Sequence, residues 1–303
     1  MADIALTENF ATAGTERAAV VRRFASRDAR FRWLTGLSAA LVVVIFAGVI
    51  SSLIVGSVLS MQKFGFGFIT SNVWDPVKEE FGAAAAIYGT LVTSALAMLI
   101  AVPVGIGIAI FLTEICPRSL RRPIGIAIEL LAGIPSIIYG IWGLFVFAPA
   151  FQQSVQPWLI DATANIPLLK DLFGGAPYGI GMFTASLILS IMVLPFISAV
   201  TRDVFETVPT VLKEAAYGLG CTTWEVMWRV VLPFSRTGVV GGSMLALGRA
   251  LGETMAVTFV IGNAHNIETS LFAPGTTISA TIANEFSEAT TPMYQSAIIE
   301  VGL

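Results

Sequence analysis

The sequence predicts an all-α integral membrane protein, a polytopic helical bundle. Three observations carry that prediction. Only 12% of the 303 residues are charged against 55% hydrophobic, with a mean hydropathy of +0.82, whereas soluble domains carry about a quarter charged residues. Four stretches lack Asp, Glu, Lys and Arg altogether, Trp33–Gln62, Phe81–Thr113, Leu130–Ile160 and Leu172–Thr201, and each exceeds the ~20 residues a helix needs to cross the hydrocarbon. None alternates polar and apolar residues over about 10 positions, as barrel strands do.

The same arithmetic excludes other classes. A soluble enzyme lacks the ionisable surface, and disorder fails because so much apolar surface cannot stay solvated. A net charge of −3 and a pI near 5.3 argue against nucleic acid, which requires a concentrated basic face.

The first span is predicted over 34–60. Its apolar block is too long for a signal-peptide core and no A-x-A-like cleavage site follows, so it remains in the protein. The second is predicted over 88–112. The third, over 124–148, contains Gly133 and Pro135; proline removes a backbone donor and clashes with the preceding turn, so a kink is expected there, serving either packing or a pathway. Glu129 stands near the end of this span, within reach of lipid headgroups or a neighbouring helix. The fourth span is predicted over 178–200.

The fifth, over 237–262, is interrupted only by Arg249 and Glu253. Read as one helix, this i, i+4 pair shares a face at about 6 Å between Cβ atoms. Charges in hydrocarbon cost several kcal/mol unless paired or facing a cavity. The pair is therefore either a structural lock or a fixed positive charge offered to an oxyanion and moderated by the carboxylate. An external segment follows from Asn263 to about Pro292, and a last apolar run, Met293–Leu303, is too short to cross a bilayer. The expectation is that the chain stops inside a sixth span.

Orientation follows from the basic residues. Arg17, Arg22, Arg23, Arg27, Arg30 and Arg32 in the arm 1–33, Arg118, Arg121 and Arg122, and Arg202, Lys213, Arg229 and Arg236 all fall on one side, against Lys63, Lys78 and Lys170 on the other. The N-terminus is thus predicted to be cytoplasmic. No lysine follows a glycine, and no G-x-G-x-x-G is complete, so nucleotide binding by those devices is not expected. His265 is expected as a solvated loop residue, and Cys116 and Cys221 as reduced thiols. Nothing points to hydrolytic or redox catalysis, and no metal or cofactor is expected on the chain.

The loop 201–236 is amphipathic and predicts a rigid helix–turn–helix. Pro209 suits a first turn, Gly218 and Gly220 a reversal, and Thr222-x-x-Glu225 a capping box, with Pro233 interrupting the second helix. Such an element is either an ordered loop or a docking knob. Its spacing decides between them. Glu214-Ala215-Ala216, then Gly220, then Val230-Val231-Leu232-Pro233 resembles the E-A-A-x3-G-x9-I-x-L-P signature of ABC importer permeases, with Val230 in place of isoleucine. In that family this segment sits in a groove of a separate ATPase subunit.

Further pieces narrow the resemblance. Phe64-Gly65-Phe66-Gly67, Trp74-Asp75-Pro76-Val77, Ile87-Tyr88-Gly89-Thr90, the run from Glu129 to Phe147 and Leu247 to Thr254 are similar to the PstC-type permeases of the phosphate importer, over roughly residues 60 to 303. The resemblance implies a transmembrane domain over 34–303 of the ABC importer permease type, a sixth span, and a bacterial inner-membrane, multi-pass protein that is not itself an enzyme. It implies ATP bound by two copies of an ATPase partner, a second, PstA-type permease completing the pathway, and an extracytoplasmic phosphate-binding protein. Arg249 and Glu253 would line the pathway, and Glu214, Ala215, Ala216, Gly220, Leu232 and Pro233 would couple to the ATPase. Another oxyanion such as sulfate or molybdate is the alternative cargo; a secondary anion transporter, with no use for an ATPase dock, is the alternative class.

Overall fold

The computed structural model describes the backbone of residues 2–303 and the side chains of residues 28, 30–167 and 169–303. Two compact units are distinguished, Met1–Val55 with Leu303, and Gly56–Gly302. The first unit is helical from Ala2 onward, within helix α1 (Ala2–Phe64), whose apolar part forms a candidate span over Arg30–Phe64. Of the predicted arm 1–33, the side chains of Arg17, Arg22, Arg23 and Arg27 lie outside the described residues.

The second unit is a helical bundle. Helix α2 (Ala84–Ile110) continues through a π turn to Ile115 and gives a span over Ala84–Ile115. Helix α3 (Arg118–Ala132) and helix α4 (Ser136–Trp142) follow, then helix α5 (Met182–Glu206), helix α6 (Thr210–Gly218) and helix α7 (Leu232–Leu251). Helix α8 (Met255–Ile261), helix α9 (Ile278–Glu285) and helix α10 (Pro292–Val301) complete the bundle. Among the described residues four helices are long and apolar enough to cross a membrane, or five if the bent pair Arg118–Ala132 and Ser136–Thr163 is one span.

The core lies between α2, α5, α7 and α8, where Ala97, Ala101, Ala185, Ile188, Val193, Ala246 and Val260 are wholly buried. Small residues dominate because, with lipid as apolar as leucine, close backbone approach is what holds spanning helices together. An added Cβ at Gly105 would come within 2.7 Å of Ile197, and one at Gly242 within 2.7 Å of Val200.

The kink expected at Gly133 and Pro135 of the third span is an 86° turn between α3 and Ser136; a helix predicted on apolarity alone carries no information about how far the direction changes. Two expectations about the spans need correction. The fifth does not begin at Thr237. It starts at Thr223 and stays helical through Pro233, because a π turn at Met227–Val231 precedes that proline and widens the turn its ring would otherwise strike. Nor does it continue to Gly262; it stops at Leu251 and restarts at Met255.

At the end opposite α6, the segment after α8 is laid across the bundle. Gly181 N–H donates to the Val260 carbonyl (2.9 Å), Phe183 N–H to Leu271 (2.8 Å) and Gly275 N–H to Ile261 (3.0 Å), while the Ile278 N–H donates to Thr90 Oγ1 (2.9 Å). His265 is not a solvated loop residue. Its ring stacks on Trp74 with centroids 4.9 Å apart and planes 5° from parallel, and its Nε2 lies 3.6 Å from Glu285, which also accepts from the Tyr294 hydroxyl. Burial holds the imidazole below its ordinary value, and the neighbouring carboxylate only partly opposes this.

Candidate functional site

Two regions carry the polar chemistry. The first is a pair of helix breaks set side by side. After α3, Gly133 closes the helix and Pro135 takes an extended ψ of 136° before α4 begins. Pro135 has no N–H to offer the Leu131 carbonyl four residues back; the buried Tyr139 hydroxyl donates to that oxygen instead, at 2.9 Å. The break is thereby satisfied from within.

The second break separates α7 from α8. Gly252 caps α7, and Glu253 turns its carboxylate onto the start of α8, where Oε1 accepts from the Ala256 N–H at 3.1 Å. A carboxylate there suits the exposed donors and positive dipole of a helix start. The two breaks meet at Gly140. A Cβ there would stand 2.8 Å from the Phe259 ring, 3.0 Å from the Met255 carbonyl oxygen and 3.1 Å from Ala256 Cα, so only glycine lets α4 and α8 approach this closely.

Arg249 stands in the last turn of α7 beside this junction, exposed and within electrostatic reach of Tyr139. The reading of Arg249 and Glu253 as neighbours on one helical face is corrected, because the helix has ended before Glu253 is reached. Among the described residues Arg249 makes no ion pair, and the exposed side chains near it in sequence are apolar: Met244, Leu245, Leu251 and Met255. A cation on an apolar membrane face faces a hydrated cavity or a partner.

The second region is the helix–turn–helix. Helix α6 ends in a Schellman motif: Cys221 N–H donates to Ala216 (3.1 Å), Gly220 N–H to Tyr217 (2.9 Å), and Gly220 takes φ +86°. The next helical turn opens with a complete capping box, Glu225 N–H to Thr222 Oγ1 at 3.4 Å and Thr222 N–H to Glu225 Oε2 at 2.9 Å. Ala216 is buried against Phe205, Val226 and Met227, where a larger side chain would push α6 away, while Glu214 and Ala215 face out. Leu232 is half-buried and Pro233 exposed. Around them Val211, Leu219 and Trp224 present 70%, 85% and 65% of their surface.

Two ion pairs not legible in the sequence tie this region to the spans. Lys213 Nζ lies 2.6 Å from Glu114, both nearly buried, and Arg202 lies 2.7 Å from Glu129. No local signal marks them, since Lys213 and Glu114 are 99 residues apart. Cys116 and Cys221 are both free thiols.

Residues 101–301 match the family described as the binding-protein-dependent transport system inner membrane component. The chain belongs to that family of transport permeases, in its PstC branch. The Phosphate transport system permease protein PstC of Mesorhizobium japonicum is 64% identical over 299 residues, covering 99% of this permease and 91% of that protein. That of Pasteurella multocida is 60% identical over 90% of this permease and 85% of the relative. A probable phosphate permease of Methanocaldococcus jannaschii is 34% identical over 92% and 89%.

Among solved structures, a bacterial ABC transporter involved in import of the acidic polysaccharide alginate matches 91% of this permease and 93% of its own chain, with TM-score 0.57 and 18% identity. The inward-facing MetNI methionine transporter matches 76% and 91%, with TM-score 0.51 and 15% identity. At these identities the likeness is one of fold, and that fold is the all-α membrane permease.

Proposed function

We propose that this permease is the transmembrane subunit of an ATP-driven importer of inorganic phosphate, lying in a bacterial inner membrane with its N-terminus cytoplasmic. The observation that carries the reading is Arg249, an exposed guanidinium without an ion partner among the described residues, set where two interrupted helices meet. Broken helices at membrane depth line cavities, because backbone groups freed from a helix must find partners there. A cation at that point attracts an oxyanion over a cation or neutral sugar. The names of the PstC relatives support phosphate as the oxyanion.

A second, PstA-type permease would close the other half of the pathway over this exposed face, and an extracytoplasmic binding protein would deliver phosphate at the loop end. One of two ATPase subunits would dock on the knob. Glu214, Ala215 and Gly220 mark its site, Leu219 and Trp224 offer it apolar contact, and Lys213–Glu114 passes its motion to α2. ATP would be held by those subunits, and this chain would hold no cofactor.

The test is Arg249→Gln in the reconstituted complex. Phosphate uptake should fall at least tenfold while the complex assembles and the ATPase subunits still turn over. Unchanged uptake would remove Arg249 from the pathway and leave it a structural residue.

A further inference from the structure

At the end of the bundle that carries α6, a cavity of about 320 Å³ opens between the start of α3 and the end of α5, next to the one that Arg118 and Arg121 line with α6. Arg118, Arg121, Arg122 and Arg202 line it, with Glu129 and Glu206 as the only carboxylates. Arg202 is already engaged by Glu129 at 2.7 Å and Asp203 at 3.1 Å. Arg118 and Arg122 have no ion partner among the described residues; Arg121 donates through Nη2 to the Thr113 carbonyl, and its buried Nε has no hydrogen-bond partner. The wall therefore holds more positive charge than its carboxylates neutralise.

The backbone adds to this. Helix α3 starts here with no side-chain cap and no acidic residue in its first turn, so its free N–H groups and dipole favour an anion at the same mouth. The remaining wall is apolar: Ile126 lines the cavity, and Leu130 and Leu131, further along α3, are exposed. Polar donors at one end and a bare aliphatic face along the same helix match a phosphate group attached to acyl chains.

We propose that this cavity binds a phosphate-bearing anion, and that its source is the headgroup of an anionic lipid. A guanidinium offers planar, paired donors that suit phosphate oxygens. The site does not include Arg249, it borders the proposed ATPase dock through Arg118 and Arg121, and it joins the ends of α3 and α5. Occupancy would brace the arm of the bent pair against the bundle.

The test uses the delipidated full complex titrated with short-chain phosphatidylglycerol and, separately, phosphatidylcholine, read by native mass spectrometry. Saturable phosphatidylglycerol binding is expected. Arg118→Gln with Arg122→Gln should weaken it about twenty-five-fold, from roughly fivefold for each charge near a phosphate surface. Glu206→Gln, which removes a lining carboxylate, should tighten it, a change of opposite sign that misfolding cannot mimic. Phosphatidylcholine binding should be weaker and unmoved by all three substitutions. An inorganic phosphate arm separates the sources. Saturable phosphate binding with the same dependence on these residues, and none of phosphatidylglycerol, overturns the lipid source. Equal binding of both lipids to parent and double variant overturns the site.

Discussion

Gly140→Ala tests the junction of the two helix breaks directly. The added carbon would meet the Phe259 ring at 2.8 Å, the Met255 oxygen at 3.0 Å and Ala256 Cα at 3.1 Å, where unstrained carbon contacts sit at about 3.5–4.0 Å. Two of the three neighbours are backbone atoms, so rotating a side chain cannot relieve the overlap and α8 must move. Overpacking of this kind costs about 1–3 kcal/mol; the middle of that range is near thirtyfold in an equilibrium. Because Glu253 is bound to the first turn of α8, the displacement carries the whole break with it, next to Arg249. In the reconstituted complex, Gly140→Ala should lower the thermal midpoint and cut phosphate transport more steeply than ATP turnover, and Gly140→Val should do both more severely. Phe259→Leu should rescue Gly140→Ala only in part, since the Met255 oxygen stays in place. Parent-like transport and midpoint in Gly140→Ala would refute the packing of α4 on α8.

Three other outcomes follow from the same geometry. A Cβ at Gly220 meets nothing within 4 Å, so the whole effect of Gly220→Ala is the left-handed backbone, about 1–2 kcal/mol; coupling of ATP turnover to uptake should fall, and Gly220→Asn should be milder in the same assay. Lys213→Met leaves the nearly buried Glu114 without its 2.6 Å partner and should cost about 2–4 kcal/mol in thermal unfolding, whereas adding Glu114→Leu should recover more than half. His265 has a pKa held below its ordinary value of 6.5 by burial, so the unfolded loop takes the proton first. Stability is full above that pH and is lost as pH falls through the depressed value; His265→Phe, which keeps the stack on Trp74, should flatten the decline in a pH series of thermal midpoints.

What the sequence made legible was local or additive. Charge-free runs locate the first, second and fourth spans because apolarity sums along the chain. Gly220 and the Thr222–Glu225 box announce their turn because every group involved lies within a few residues. Direction is different. The run Leu130–Ile160 stays apolar through Gly133–Pro135, so nothing in hydropathy distinguishes a kink from the 86° turn. Arg249 and Glu253 looked like a pair only on the assumption of an unbroken helix, and Gly252, the residue that breaks it, is one glycine among 28. Tyr139, Gly140 and the Lys213–Glu114 pair had no sequence signal, since their partners are fixed by tertiary approach.

The strap from Ile261 to Ile278 has a consequence for biogenesis. Its hydrogen bonds pin the start of α5, and the Ile278 N–H anchors on Thr90, 188 residues earlier. That bond cannot exist until Ile278 has been synthesised, so α2 and α5 enter the bilayer with their loop ends still unfastened. Domains generally form from the N-terminus during translation, but here the clasp is made late. The ribosome delivers α2 and α5 first and the piece that fastens them only afterwards.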